Sequence, residues 1–115
     1  MKPSSLAPAY VAFYPVLTDI ARKHGYALAV HGTVSRDFDL VAVPWIDEAV
    51  PVETLVKAIA NYASEVMSLM FDLPTELKSP TQKPHGRLSW VIQIGAGSYI
   101  DLSVMPPLLS KDESQ

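Results

Sequence analysis

Apolar positions follow two different periods along the chain, and together they predict two helices and four strands. A spacing of three and four residues runs through 7–24 and from Val52 to Met70, as in helices that bury one face. Strand-length apolar runs occupy 26–31, 38–43, 88–94 and 98–105. The order helix, strand, strand, helix, strand, strand predicts an α+β fold, an α/β sandwich with helices packed on one mixed sheet of about four strands.

The first helix and the first strand are separated by a cationic cluster and a glycine. Arg22, Lys23 and His24 suit the negative C-terminal end of a helix, and Gly25 is a typical residue after a helix end. The same cluster can instead bind a phosphate group. The following run, 26–31, is continuously apolar and predicts a central strand buried on both faces.

The last two strands are predicted to form a C-terminal β-hairpin around Gly95-Ala96-Gly97. A loop of three residues pairs the apolar face of one strand with the apolar face of the other, whereas a loop of two or four does not. The predicted pairs are Trp90 with Leu102, Ile92 with Ile100, and Val91 with Asp101. This register leaves Asp101 on the more polar face, with Gly97 in the left-handed conformation.

The rest of the chain fits a single domain over 1–115. The segment 71–86 contains three prolines and shows no periodicity, which predicts a long loop that is either a functional lid or mobile. Residues 1–6 and about 107–115 are expected to be flexible.

Composition narrows the class of protein. Hydrophobic residues form 49% and charged residues 18% of the chain, enough apolar material for a core. The net charge of −3 is not that of a duplex-DNA binder. The absence of cysteine excludes disulfides and thiolate chemistry. No apolar run reaches the roughly 18 residues of a membrane span and the N-terminus is a poor signal peptide, so a cytoplasmic protein without membrane contacts is expected.

The candidate chemistry lies where the second strand begins. Asp37 and Asp39 are two positions apart, so in a strand their side chains share a face, about 6–7 Å from each other. This separation suits one shared divalent cation or a pair of cations. Asp101 adds a third carboxylate on a later strand.

These residues resemble the motif of the minimal nucleotidyltransferases of the DNA-polymerase-beta superfamily, which has a Gly-Ser turn, an Asp-x-Asp strand start and a third acid on a later strand. The resemblance rests on the Gly32-Thr33 turn, on Asp37-Phe38-Asp39-Leu40 and on Asp101. It implies a nucleotidyltransferase-like sheet and a catalytic, metal-binding set formed by Asp37, Asp39 and Asp101. It also implies Mg²⁺ or Mn²⁺ and a nucleoside triphosphate as cofactors, and a second helical protein as partner. A homodimer is the alternative partner, expected if the chain is a small interaction protein. The residues expected to bind phosphate or nucleotide are Gly32, Thr33, Ser35, Arg36 and Arg87.

The chain departs from the family pattern between the turn and the strand. Only Val34, Ser35 and Arg36 separate Thr33 from Asp37, which leaves no room for the short helix that the family has there. The chain as a whole also resembles small proteins encoded by phages and prophages, a resemblance that assigns no activity.

Two histidines and a lysine are candidate accessory residues. His31 adjoins the Gly32-Thr33 turn, and His85 and Lys83 lie in the long loop, where they can close over a ligand together with Arg87. With the aspartates they can form a mixed His/Asp site for Mn²⁺ or Zn²⁺. The alternative is a backbone-bonded His31 and an exposed loop histidine.

Three functions are compatible with the sequence. The first is a metal-dependent nucleotidyltransferase that transfers from a nucleoside triphosphate to a hydroxyl acceptor. The second is a catalytically degenerate module of the same fold that acts through a protein or RNA partner. The third is a small structural or interaction protein whose carboxylates cap strand ends, with Asp37 paired to Arg36 and Asp101 paired to Arg87.

Overall fold

The computed structural model describes residues 7–31, 37–71, 76–94 and 99–106. Two α-helices and six strands lie in these ranges, so the fold is α+β, as predicted. The elements are α1 (Ala7–Lys23), β1 (Tyr26–Val30), β2 (Phe38–Pro44), α2 (Val52–Val66), β3 (Glu76–Leu77), β4 (Thr81–Gln82), β5 (Leu88–Gln93) and β6 (Tyr99–Val104). A π-helical turn, Met67–Phe71, continues α2, and a 3₁₀ turn, Pro84–Gly86, precedes β5.

The strands form one mixed sheet in the order β1-β2-β6-β5-β3, and β4 also pairs with β5. β2 and β6 are parallel, whereas the other pairs are antiparallel. The predicted count of about four strands and the predicted order of elements are therefore wrong. β3 and β4, of two residues each, lie between α2 and β5, inside the predicted loop 71–86. Runs this short have no periodicity that a sequence can show.

β1 is an edge strand, which corrects the prediction of a central strand buried on both faces. Tyr26 and Leu28 are buried, while Ala27 and Ala29 are exposed. The two alanines make the run continuously apolar in sequence, although alanine is small enough to stand on either side of a sheet. Because the helices cover only one side of the sheet, buried and exposed side chains alternate along β1.

Both helices pack on the same face of the sheet. The core between helices and sheet includes Tyr10, Phe13, Leu17, Leu28, Phe38, Leu40, Leu55, Ile59, Trp90, Ile92, Ile100 and Leu102. The opposite sheet face, here named the open face, carries Ala27, Ala29, Asp39, Val41, Val43, Ser89, Val91, Gln93, Tyr99, Asp101 and Ser103. On the open face, the acids Asp39 and Asp101 are half-buried, Ser89 and Ser103 are buried, and the alanines of β1 are exposed.

The register of the C-terminal hairpin confirms the prediction. The structure pairs Trp90 with Leu102, Val91 with Asp101 and Ile92 with Ile100. The strand bounds fall within the predicted ranges. The predicted Gly95-Ala96-Gly97 turn lies outside the described residues, as do the termini 1–6 and 107–115.

The junction between α1 and β1 follows the capping prediction. Gly25 has a φ of +91°, the left-handed region that favours glycine after a helix end. The backbone N–H of His24 donates to the carbonyls of Ile20 and Ala21, and its Nδ1 lies 2.7 Å from the Ile20 oxygen. The basic residue His24 therefore satisfies carbonyls of the last helical turn.

The second helix confirms the predicted amphipathic pattern. It begins after Pro51 and buries Val52, Leu55, Val56, Ile59 and Ala63. Across the described ranges, neither helix combines the length and the apolar character needed to cross a bilayer.

Candidate carboxylate site

The parallel pairing of β2 with β6 places Asp39 directly beside Asp101 on the open face. Neighbouring strands lie about 4.8 Å apart, so the two carboxylates stand side by side. The structure therefore brings together two acids that are 62 positions apart in the sequence.

Asp37 lies at the end of the same pair of strands, in the bend before β2. Tyr99, the first residue of β6, lies close to Asp37. The charge of Asp37 is the largest cause of the raised pKa of Tyr99, followed by burial, and hydrogen bonding to Asp37 and the charges of Asp101 and Asp39 raise that pKa further. Oδ1 of Asp37 is buried without a hydrogen-bond partner in the described part of the chain.

Ser89 holds the third carboxylate in place. Its hydroxyl donates to Oδ1 of Asp101 at 2.6 Å, and Ser89 is only 4% exposed. Arg87 instead donates to the Ser103 hydroxyl at 3.3 Å, so the predicted alternative of an Asp101–Arg87 pair is wrong. Ser89 and Tyr99 are not among the predicted site residues, although the predicted hairpin register places both on the face of Asp101.

Asp37, Asp39 and Asp101 form a group that is here named the cluster. The surroundings of Asp39 in this cluster raise the pKa of its carboxyl group. Partial burial is the largest cause of its raised pKa, and the adjacent Asp101 carboxylate raises the pKa further, with a smaller contribution from Asp37. The charge of His31 lowers the pKa of Asp39. Ionised Asp39 is therefore destabilised by its surroundings in the folded protein.

Asp39→Asn is expected to stabilise the protein at neutral pH in the absence of divalent cations. Because the folded-state pKa exceeds the unfolded value, the ionised carboxylate lowers stability above the folded pKa, and this penalty is relieved as pH falls through it. Removing one of two like charges that face each other across neighbouring strands is expected to raise the free energy of unfolding by about 0.5–1 kcal/mol. Urea unfolding in EDTA, followed by circular dichroism, measures this gain at pH 7.5 and its disappearance at low pH.

Asp47→Asn is the control for this experiment, because Asp47 is exposed in the segment after β2 and lies outside the cluster. Its substitution is expected to leave stability within about 0.5 kcal/mol of the wild type. A loss of stability in Asp39→Asn at neutral pH would instead identify Asp39 as a stabilising structural residue.

His31 lies across the β1–β2 pair from Asp39. Its backbone N–H donates to the Asp39 carbonyl at 3.0 Å, which places it next to Asp39, and its side chain is exposed. The candidate phosphate-binding residues that follow it, Gly32, Thr33, Ser35 and Arg36, lie outside the described residues.

The candidate accessory residues Lys83 and His85 and the neighbouring Arg87 lie between β4 and β5. The Lys83 backbone N–H donates to the Arg87 carbonyl at 2.8 Å, and the Lys83 side chain is exposed. Arg87 reaches β6 at Ser103, two positions from Asp101. His85 lies in the 3₁₀ turn between them, and its ring is outside the description. The structure thus brings Arg87 to the strand of Asp101.

The donor set of the cluster fits a divalent cation in its chemistry. Three carboxylates offer hard oxygen ligands, which Mg²⁺ prefers, and the buried Oδ1 of Asp37 lacks a partner. Among residues 7–31, 37–71, 76–94 and 99–106, no group of three or more acidic or histidine side chains already has the spacing of a metal site.

Comparison of the chain with known protein families, with curated proteins and with solved structures gives no match. The assignment of a function to this cluster therefore depends on its own geometry and chemistry.

Proposed function

We propose that this chain is a metal-dependent nucleotidyltransferase that transfers a nucleotidyl group from a nucleoside triphosphate to a hydroxyl acceptor. The observation that carries the proposal is the parallel register that sets Asp39 beside Asp101 on an open sheet face, with Asp37 at the same end of the strands. The resemblance of the sequence motif to the polymerase-beta superfamily supports the same reaction.

Asp37, Asp39 and Asp101 are the proposed ligands for Mg²⁺ or Mn²⁺. When bound, the cation neutralises phosphate charge and orients the triphosphate, which is the main requirement of phosphoryl and nucleotidyl transfer. Partial burial is the largest cause of the raised pKa of Asp39, and a bound cation would offset the second cause, the repulsion between Asp39 and Asp101. The same electrostatic feature that lowers stability without metal thus favours metal binding.

The reaction joins the acceptor oxygen to the α-phosphorus and releases pyrophosphate. The acceptor hydroxyl loses its proton in this step, so a carboxylate must accept it. Ser89 acts as a positioning residue, because its hydroxyl holds Asp101 by a hydrogen bond, and Tyr99 lies close to Asp37.

The alternative is a degenerate module that keeps the fold and binds a protein or RNA partner. The observation in its favour is that no group of three ligands in the described residues has metal-site spacing. A short Ser89–Asp101 hydrogen bond also gives Asp101 a structural role.

Calorimetric titration with Mn²⁺-ATP separates the two functions. The wild type is expected to bind Mn²⁺-ATP saturably, and Asp39→Asn is expected to lose about 100-fold or more in affinity. We expect a loss of this size because the mutation of a residue that only hydrogen-bonds to a metal ligand already lowers metal affinity by about 10–100-fold. The titration is repeated with Mn²⁺ alone to separate metal binding from nucleotide binding.

Asp47→Asn provides the matched control, since it removes the same charge from an exposed residue outside the cluster. Equal binding by the wild type and both variants would place the nucleotide elsewhere and contradict the proposal. Absence of binding in all three proteins would favour the degenerate module.

A further inference from the structure

Trp45, the first residue after β2, presents a large apolar side chain to solvent. It is 61% exposed, and the neighbouring Val43 and Ile46 are 45% and 41% exposed. The backbone at this position is held in place, because the Trp45 N–H donates to the Gly25 carbonyl at 3.0 Å. An exposed tryptophan on a fixed backbone is typical of the residues that contribute most to protein–protein binding.

Two grooves lie on either side of the Trp45 side chain. The first groove, of about 250 Å³, is lined by Thr18, Arg22, Tyr26, Ala27, Leu28 and Trp45. Tyr26 and Leu28 are buried and form its floor, whereas Arg22 and Ala27 are exposed at its rim. The second groove, of about 140 Å³, is lined by Pro44, Trp45, Ile46 and Asp47. Because only Trp45 is common to both, its side chain separates the two grooves.

The two grooves carry opposite charges. Arg22 lines only the first groove, and Asp47 lines only the second. Both side chains are exposed, and neither forms an ion pair with any residue in the described part of the chain. A guanidinium group presents paired donors that match a carboxylate. Each of the two charges is therefore available to a partner of opposite charge.

This arrangement is complementary to itself. Across the surface the order is a cation, an apolar groove, an aromatic ring, a second groove and an anion. A two-fold rotation about an axis between the first groove and the ring places the ring of a second copy in the groove. The same rotation places the anion of the second copy beside the cation, so both contacts form twice, as in other isologous interfaces.

We propose that two copies of this chain form a symmetric dimer through this surface, here named the Trp45 surface, which comprises Arg22, Ala27, Trp45, Ile46 and Asp47. Trp45 of each copy enters the first groove of the other, and the two indole rings stack beside the two-fold axis. Arg22 of each copy pairs with Asp47 of the other. An unrelated protein would have to supply an apolar side chain and both charges in this order, which a second copy supplies by symmetry.

The exposed apolar area limits the strength of this dimer. A tryptophan side chain buries about 150–250 Å², and stable interfaces bury about 1,200–2,000 Å² in total. The Trp45 surface adds to its tryptophan mainly the partly exposed Ile46 and the small Ala27. We therefore expect a weak dimer, with a Kd on the order of 100 µM.

The Trp45 surface and the carboxylate cluster lie at opposite ends of β2. Six positions separate Asp39 from Trp45, which is about 20 Å along an extended chain. The inference is therefore independent of the proposed reaction, and it is tested in EDTA without nucleotide.

Sedimentation equilibrium of the full chain measures the association. The wild type is expected to change from monomer to dimer between about 5 and about 500 µM, a range that spans the expected Kd. Trp45→Ala is expected to weaken the dimer by more than about tenfold, because each interface loses both aromatic rings. Leu69→Ala is the matched control, since Leu69 is 84% exposed and lies outside the Trp45 surface. It is expected to change the Kd by less than about twofold.

A charge exchange tests the contact between Arg22 and Asp47 directly. Arg22→Glu and Asp47→Lys each convert two ion pairs into two like-charge contacts, so each variant alone is expected to associate about tenfold more weakly or less. An equimolar mixture of the two variants is expected to form a heterodimer with about the affinity of the wild type, because both halves of its interface again join opposite charges. Lys57→Glu makes the charge change of Arg22→Glu at an exposed position of α2 and is expected to leave association unchanged.

Three outcomes would overturn the proposal. The first is a wild type that stays monomeric over the whole concentration range. The second is a dimer that Trp45→Ala does not weaken, which would assign association to another surface. The third is a mixture of Arg22→Glu and Asp47→Lys that associates no better than either variant alone, since the two charges would then not meet across the interface.

Discussion

Gly25→Ala is expected to lower the free energy of unfolding by about 3–5 kcal/mol. Two costs add at this position. The φ of +91° is unfavourable for any residue with a side chain, at about 1–3 kcal/mol. A Cβ atom would also lie 2.7 Å from the Cα of Ala49 and 3.0 Å from Cγ1 of Ile46, so the segment after β2 would have to move.

The matched control is Gly86→Ala, because Gly86 has a similar φ of +75° but open space around its added Cβ. We expect a loss of about 1 kcal/mol for it, from backbone strain alone. Urea unfolding followed by circular dichroism measures both values. Equal losses would show that the close approach of Ala49 to Gly25 does not constrain the fold.

Leu102→Ala is expected to cost about 2–5 kcal/mol, since Leu102 is fully buried in the middle of the sheet and its truncation leaves a cavity. In a domain of this size the melting temperature should fall on the order of 10 °C or more. Leu77→Ala, on the short strand β3, removes the same atoms from a side chain that is 39% exposed. It is expected to cost less than about 1 kcal/mol.

Thermal unfolding of the wild type and the two leucine variants provides the measurement. A small effect of Leu102→Ala, similar to that of Leu77→Ala, would contradict the placement of β6 at the centre of the sheet. Leu102 also lies between Asp101 and Ser103, so the stability of this strand supports the carboxylate site directly.

The hairpin register could be predicted because β5 and β6 each alternate over six residues, and a loop of three residues pairs their apolar faces whereas a loop of two or four does not. The prediction that β1 is a central strand buried on both faces was wrong because alanine occurs in both buried and exposed positions. Ala27 and Ala29 therefore did not indicate that one face of β1 is exposed. The strands β3 and β4 were missed because each has two residues and forms only against the edge of β5.

The acids of the candidate site were identifiable from their spacing, but the contact between them was not. Asp39 and Asp101 meet through a parallel pairing of strands that are far apart in the chain, and no local pattern reveals such a pairing. The sequence also suggested Arg87 as the partner of Asp101, since opposite charges attract. The structure pairs Asp101 with Ser89 because the side-by-side strands place the two on the same face.

The central position of β6 has a consequence for folding. β6 separates β2 from β5, so the N-terminal and C-terminal parts of the sheet share no strand pairing until residues 99–104 are in place. During synthesis, the nascent chain must keep the apolar edges of β2 and β5 unpaired until β6 leaves the ribosome. Such non-local pairing gives a high contact order, hence slower folding than in a helical domain of equal length and a longer exposure to aggregation.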